Sequence, residues 1–209
     1  MKKAHAAKKY YQEDFKDEFN LEYLEHNKVV ARELLQWDVE TDREYSVNPK
    51  LNQKLTEKYG TLVRDAYVAP MHIQWVNKAV SYGAFSEKDL LRGDMVIEYT
   101  GRLCADEVDN ENPYIWDYPT IRFEEQPGKS RRKKIRYCVD AEKMGNYARF
   151  INHTQRKFQN VGIQMIAVDG LWHVVYIALK DIYKGQQLLT YYGTQYWRDR
   201  QIIPRPLTP

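Results

Sequence analysis

Beyond Gly60 the chain is cut by turn signals into short runs of β-branched and aromatic residues, and this punctuation limits what it can fold into. The runs are Ala66–Val68, His72–Val76, Met95–Thr100, Tyr137–Val139, Val161–Val168 and Leu171–Ala178. Pairs such as Arg92-Gly93, Asp169-Gly170 and Lys184-Gly185 separate them. Strands this short, with few long helical patterns between them, predict several small twisted sheets in a mostly β, α+β chain. They exclude a doubly wound parallel fold. The apolar stretch Asn160–Leu179 imitates a membrane span. It carries Gln164, Asp169, Gly170 and His173, however, and Asp169-Gly170 is a hairpin signal, so two strands are expected there and no membrane partner.

Ahead of Gly60 the pattern is helical. Phe15, Phe19, Tyr23, Val30, Leu34 and Trp37 recur at helical spacing between Tyr10 and Trp37, which predicts one long amphipathic helix or two shorter ones. Its apolar face can pack on its own domain or form a homodimer. Glu40–Pro49 reads as a linker, and Lys50–Tyr59 as a short helix stopped by Gly60. The expected organisation is a helical N-terminal extension over 1–60, a main domain over 61–197 and a tail over 198–209.

A net charge of +3 over 209 residues is too mild for a dedicated nucleic-acid binder. The exception is local: Lys129, Arg131, Arg132, Lys133, Lys134 and Arg136 place six cations in eight positions with no acid among them. This segment is either a solvated hairpin tip or a contact for nucleic acid or an acidic protein. Cys104 and Cys138 lie far apart in sequence, which excludes a disulfide framework or a four-thiolate metal site and points to a reducing, intracellular location. That location is the cytoplasm, or the nucleus of a host cell for a delivered effector. Four lysines near the start (Lys2, Lys3, Lys8, Lys9) are followed by no apolar core of a secretory signal. The histidines His5, His26, His72, His153 and His173 are too scattered for ligand spacing, so no metal is expected.

Phosphate-binding loops, nucleophile elbows and zinc-protease signatures are all missing. Four other clusters stand out, in a fixed order. Ser81-Tyr82-Gly83 is a small-residue turn that lets backbone approach a ligand. Glu98-Tyr99-Thr100-Gly101 follows, then Arg149-Phe150-Ile151-Asn152-His153-Thr154, then Gly185 to Gly193 with Thr190-Tyr191-Tyr192 inside it. Each alone has a plain structural explanation: a hairpin turn, a half-buried strand tyrosine, a polar corner closing a sheet.

Together, over about Ala66 to Trp197, they resemble the SET-domain protein lysine methyltransferases. The compact, cysteine-poor build is similar to bacterial or viral members. Ser81 stands in place of a glycine, Gln186 and Gln187 in place of paired glutamates, and Tyr191 in place of an acid. The resemblance implies a SET-type fold with a C-terminal pseudoknot and S-adenosyl-L-methionine as cofactor. It also implies transfer of a methyl group to a lysine of a protein substrate such as a histone or histone-like basic protein. By the same resemblance Tyr192 is catalytic and Tyr99 lines the lysine channel with Thr190 and Tyr191. Ser81, Tyr82, Gly83, Asn152 and His153 hold the cofactor and Arg149 supports the site, while Trp197 either stacks on the adenine or anchors the tail to the core. Two other readings stand beside this one: a SET-like fold kept as a non-catalytic interaction module, and nucleic-acid binding through 129–136.

Overall fold

The computed structural model describes residues 7–106, 112–129 and 131–199. The expected tail beyond Asp199 and the first two lysines lie outside the described residues. Among the described residues no helix is long and apolar enough to cross a membrane.

Local turn chemistry builds the central hairpin. Asp169 and Gly170 both take positive φ (50° and 80°), as a two-residue hairpin turn of the favoured hand requires. Val161–Val168 and Leu171–Ala178 then pair antiparallel, and Met95–Glu98 joins the outer side of Leu171–Ala178 to give three strands. A second sheet runs Lys9–Tyr10, Met71–Asn77, Ser81–Ser86, and a third Lys28–Val29, Arg102–Ala105, Lys133–Asp140, Ile115–Glu124. Two short parallel pairs complete the set: Glu22–Tyr23 with Met144–Gly145, and Asn152–His153 with Leu189–Thr190. The architecture is therefore mostly β in small sheets. Its C-terminal segment lies beside the Asn-His strand, as a threaded C-terminus demands.

The N-terminal region departs from the helix expected over Tyr10 to Trp37. Only Phe15–Phe19 is α-helical there, and Asn20 ends it in the left-handed conformation (φ 53°). Glu22–Tyr23 and Lys28–Val29 are strands, and Arg32–Gln36 is a 3-10 turn. The three-to-four spacing of apolar residues has a tertiary cause. Phe15 meets Tyr23, Tyr147 and Phe150 edge to face, and Phe19 meets Tyr82. Phe15 and Leu34 are each 1% exposed, so these side chains belong to the core of the chain itself.

The segment Glu40–Pro49 is no linker. It forms a 3-10 turn (Val39–Thr41) and a helix (Arg43–Val47), and between them Asp42 is buried. Its carboxylate accepts hydrogen bonds from Trp37 Nε1 and Trp172 Nε1, each at 2.8 Å, and from Thr120 Oγ1. Asn48 caps the next helix, Pro49–Arg64, by accepting from the Leu51 amide. This helix runs through Gly60 and covers the central sheet with Tyr59 and Val63. Ala66 terminates it at φ 50°, so the expected strand Ala66–Val68 is absent.

Cys104 and Cys138, distant in sequence, are directly opposed on neighbouring strands, with their sulfurs 3.8 Å apart and both side chains buried. The antiparallel register of Arg102–Ala105 on Lys133–Asp140 creates this proximity, and sequence separation conceals it. The basic segment occupies the tip and one strand of the Ile115–Glu124/Lys133–Asp140 hairpin, where Lys129, Arg131, Arg132, Lys133, Lys134 and Arg136 are all exposed.

Replacing Asp42 with Ala strands two buried donors, Thr120 Oγ1 and Trp172 Nε1, and the part-buried Trp37 Nε1. At roughly 1–3 kcal/mol for each unsatisfied group, with partial relaxation, Asp42→Ala loses about 3–5 kcal/mol of stability, read as a lowered denaturant midpoint at unchanged slope.

Candidate active site

The site is assembled where the C-terminal segment crosses the Asn-His strand. Asn146 caps the 3-10 turn Tyr147–Phe150 by accepting from the Ala148 amide, and its amide nitrogen donates to the Glu98 carbonyl at 2.8 Å. Asn152 and His153 then pair in parallel with Leu189 and Thr190. Asn160 clamps this crossing by donating to Gln187 O (2.8 Å) and accepting from Leu189 N (2.7 Å). The chain emerging from the crossing delivers Tyr192. Its amide donates to His153 Nδ1 (3.2 Å), and its hydroxyl donates to the Ile151 carbonyl (2.8 Å).

The Asn152 amide nitrogen donates to Tyr82 O at 2.8 Å, so the crossing also fixes Ser81-Tyr82-Gly83, which opens the strand Ser81–Ser86 while the expected turn lies just before it, at 78–80. A Cβ on Gly83 would lie 3.1 Å from Asn152 Nδ2 and 2.3 Å from Gln187 Nε2, which explains why glycine stands there. Ser81 adopts φ 58°, a left-handed conformation that costs a non-glycine residue about 1–2 kcal/mol.

Between these elements lies a cavity of about 380 Å3. Ser81, Tyr82, Val80 and Asn152 line it together with Tyr99, Trp116, Tyr176 and Tyr192. Burial pushes the Tyr99, Tyr176 and Tyr192 phenols up, so all three remain neutral through the physiological range. The Tyr99 hydroxyl donates to Tyr114 O at 2.7 Å. Arg149 stacks over the Tyr114 ring at 3.8 Å and donates from Nη1 to Glu142 O, while its buried Nε has no partner among the described residues. Burial also lowers the His153 pKa, which favours the neutral ring whose Nδ1 accepts from Tyr192. Glu98 points away from the cavity: its buried carboxylate meets His173 Nδ1 at 2.7 Å and accepts from Asn27 at 2.9 Å. No three His, Cys, Asp or Glu side chains among the described residues gather as metal ligands.

Of the residues singled out in the sequence, Ser81, Tyr82, Tyr99, Asn152, Tyr192 and Arg149 line the cavity. Gly83, His153, Thr190, Tyr191 and Trp197 sit behind it. Thr190 is 1% exposed within the parallel pair, and Tyr191 lies under Arg156, 4.9 Å from its ring centre. The Trp197 indole stacks nearly parallel to Tyr192 (6.0 Å, 13°) and edges against His153 (4.8 Å), a brace for the tyrosine more than a wall of the cavity. Sequence reasoning missed Glu18, Phe19, Tyr114, Trp116 and Tyr176. The two strand aromatics, Trp116 and Tyr176, carried no local signal beyond their strands. Phe19 had been read as part of a helical face.

The family model described as the SET domain matches residues 81–193, more than half of the chain. Histone-lysine N-methyltransferase EZH2 of Chaetomium thermophilum is 30% identical over 131 residues, covering 57% of this chain and 8% of the relative. An H3 lysine-4 specific histone-lysine N-methyltransferase of Schizosaccharomyces pombe is 36% identical over 112 residues, covering 51% of this chain and 11% of the relative. The chain thus spans about a tenth of the length of these curated relatives. In structure, the ATXR5 SET domain in complex with histone H3 superposes with a TM-score of 0.62 at 17% identity, over 87% of this chain and 85% of that one, and shows the same fold. The four clusters, the crossing that joins three of them and the family match lead to one assignment: this chain belongs to the SET-domain family.

Proposed function

We propose that the chain is a protein lysine methyltransferase that moves a methyl group from S-adenosyl-L-methionine to the side-chain amine of a lysine in a histone or histone-like basic protein. The observation that carries this reading is the state of two phenols. Tyr99 and Tyr192 both line the cavity, and both spend their only proton on a backbone carbonyl, Tyr114 O and Ile151 O. Each oxygen is thereby left to the cavity as an acceptor alone.

The cavity fits the cofactor. Its volume lies within the ~300–1,000 Å3 common for small-molecule sites. Its walls offer flat aromatic faces for a base, one carboxylate in Glu18, and one guanidinium in Arg149 whose buried Nε–H has no partner among the described residues. This donor set suits a zwitterionic amino-acid arm joined to an adenosine. When bound, the cofactor supplies an electrophilic methyl on a positively charged sulfonium.

The remaining work falls to the chain. Burial around Tyr99, Tyr176 and Tyr192 disfavours an ammonium, and so lowers the lysine pKa from about 10.4 toward the neutral amine that can attack. Tyr99 and Tyr192 accept from the N–H groups of that amine and turn its lone pair toward the methyl. Neutral phenols do this without a carboxylate that would retain the proton. With the cofactor held against Ser81, Tyr82 and Asn152, its sulfonium would supply the methyl to the amine's lone pair and would leave as a neutral thioether, and the surplus proton on nitrogen would pass to water. Holding the two reactants in line in this way removes part of the barrier by settling their orientation in advance.

The basic hairpin extends this proposal to a partner. Lys129, Arg131, Arg132, Lys133, Lys134 and Arg136 are exposed beside Ile121 (41%) and Phe123 (60%), on the hairpin whose base, Ile115–Trp116, lines the cavity. We read it as a phosphate-backbone contact for nucleic acid that accompanies the substrate.

Two outcomes test the whole. Labelled cofactor incubated with histones and basic nucleoid proteins labels lysine, and Tyr192→Phe lowers turnover by about 100-fold or more while the melting profile stays near that of the parent. Full labelling by the variant removes Tyr192 from the chemistry, and no labelling of any basic protein by the parent favours the non-catalytic module. Changing Arg131, Arg132, Lys133 and Lys134 together to Ser weakens methylation of nucleic-acid-bound substrate and flattens its salt dependence, with a short peptide spared. Equal loss on both substrates places the hairpin in the fold of the catalytic domain.

A further inference from the structure

Glu18 is the only carboxylate among the described residues lining the cavity, and the short helix that brings it there came from the segment read as an extension. Phe19, beside it, meets the Tyr82 ring edge to face at 5.0 Å and the Phe150 ring at 4.9 Å. Phe19 is thus wedged between the start of the Ser81–Ser86 strand and the 3-10 turn that leads to Asn152. Its anchorage sets Glu18 at the cavity wall with Ser81 and Tyr82. Left-handed Asn20 then turns the chain back, so that Leu21 also reaches the cavity.

The Glu18 carboxylate pairs with Lys8 Nζ. That lysine is 62% exposed, Glu18 is 36% exposed, and Lys8 also lies over the Tyr10 ring at 4.5 Å. An exposed ion pair of this sort adds little to stability, so its cation can be exchanged for another at small cost. A carboxylate at a cavity wall, held by an aromatic wedge and paired among the described residues with a replaceable surface lysine, is chemically matched to a ligand that brings its own ammonium.

We infer that Glu18 is the counter-ion for the α-ammonium of the cofactor's amino-acid arm, with Phe19 as the positioning residue that holds Glu18 there and Lys8 as the resident cation that the ligand displaces. This rests on the reading that the cavity binds S-adenosyl-L-methionine. The N-terminal segment is then a wall of the cofactor site, which extends the binding surface beyond the residues matched by the family model.

Titration calorimetry on the full chain separates the contributions. The ligands are S-adenosylmethionine, S-adenosylhomocysteine and methylthioadenosine, the last keeping the ribose and base but lacking the amino-acid arm. Glu18→Gln weakens the first two about tenfold, the scale of one charge-assisted hydrogen bond, and leaves the third unchanged. Lys8→Ala binds S-adenosylmethionine as tightly as the parent or more tightly. The inference is overturned if Glu18→Gln leaves S-adenosylmethionine affinity intact or weakens methylthioadenosine equally. It is also overturned if Lys8→Ala reproduces the loss, because then the ion pair is merely a strut. A parent chain that binds none of the three ligands instead overturns the methyltransferase reading beneath it.

Discussion

The structure depends on one small crossing: two residues, Asn152 and His153, paired in parallel with Leu189 and Thr190. Bringing these segments together closes a long loop, and two residue pairings alone do not offset the entropy of that closure. The crossing persists because it is buried and doubly tied. Leu188 and Leu189 are inaccessible or nearly so, and the Asn160 side chain satisfies one donor and one acceptor of the incoming strand. From it hang the strand carrying Tyr82, through Asn152, and Tyr192, through His153 and Ile151. Both ends of the cavity are therefore placed by a single event of chain threading.

The second level is electrostatic. Three buried phenols, each with its pKa raised by desolvation, form a lining that is polar yet uncharged. Charge is kept to the outer parts of the same cavity, with Glu18 and Arg149. That division suits a reaction in which a positive sulfonium and a neutral amine must meet away from groups that would hold the amine's proton. Trp197, stacked on the far face of Tyr192, adds rigidity to the side chain on which this division turns.

What could be read in the sequence was what local chemistry determines. The Asp169-Gly170 hairpin was legible because both turn residues take the left-handed conformation that their side chains tolerate. Tyr99, Asn152 and Tyr192 were legible because the resemblance carries them in short strings. The N-terminal segment misled because Phe15, Phe19 and Tyr23 keep helical spacing while serving an aromatic cluster formed with Tyr82, Tyr147 and Phe150. Asp42 looked like a turn former, and its three donors come from Trp37, Thr120 and Trp172, two of them remote in the chain. The opposed Cys104 and Cys138, and Glu18 and Trp116 on the cavity, belong to the same class, since their neighbours are set by strand register and threading.

In the proposed reaction a neutral amine is methylated inside a cage of tyrosines that stay protonated. The pH dependence of single-turnover methyl transfer, with cofactor and a lysine peptide saturating, tests it most directly. Because the buried phenols ionise above their usual value of about 10, the account predicts a rate that rises with pH through one ionisation, that of the lysine, and then holds level to about pH 10. A rate that falls between about pH 8 and 10, tracking the appearance of tyrosinate absorbance in the folded chain, contradicts it.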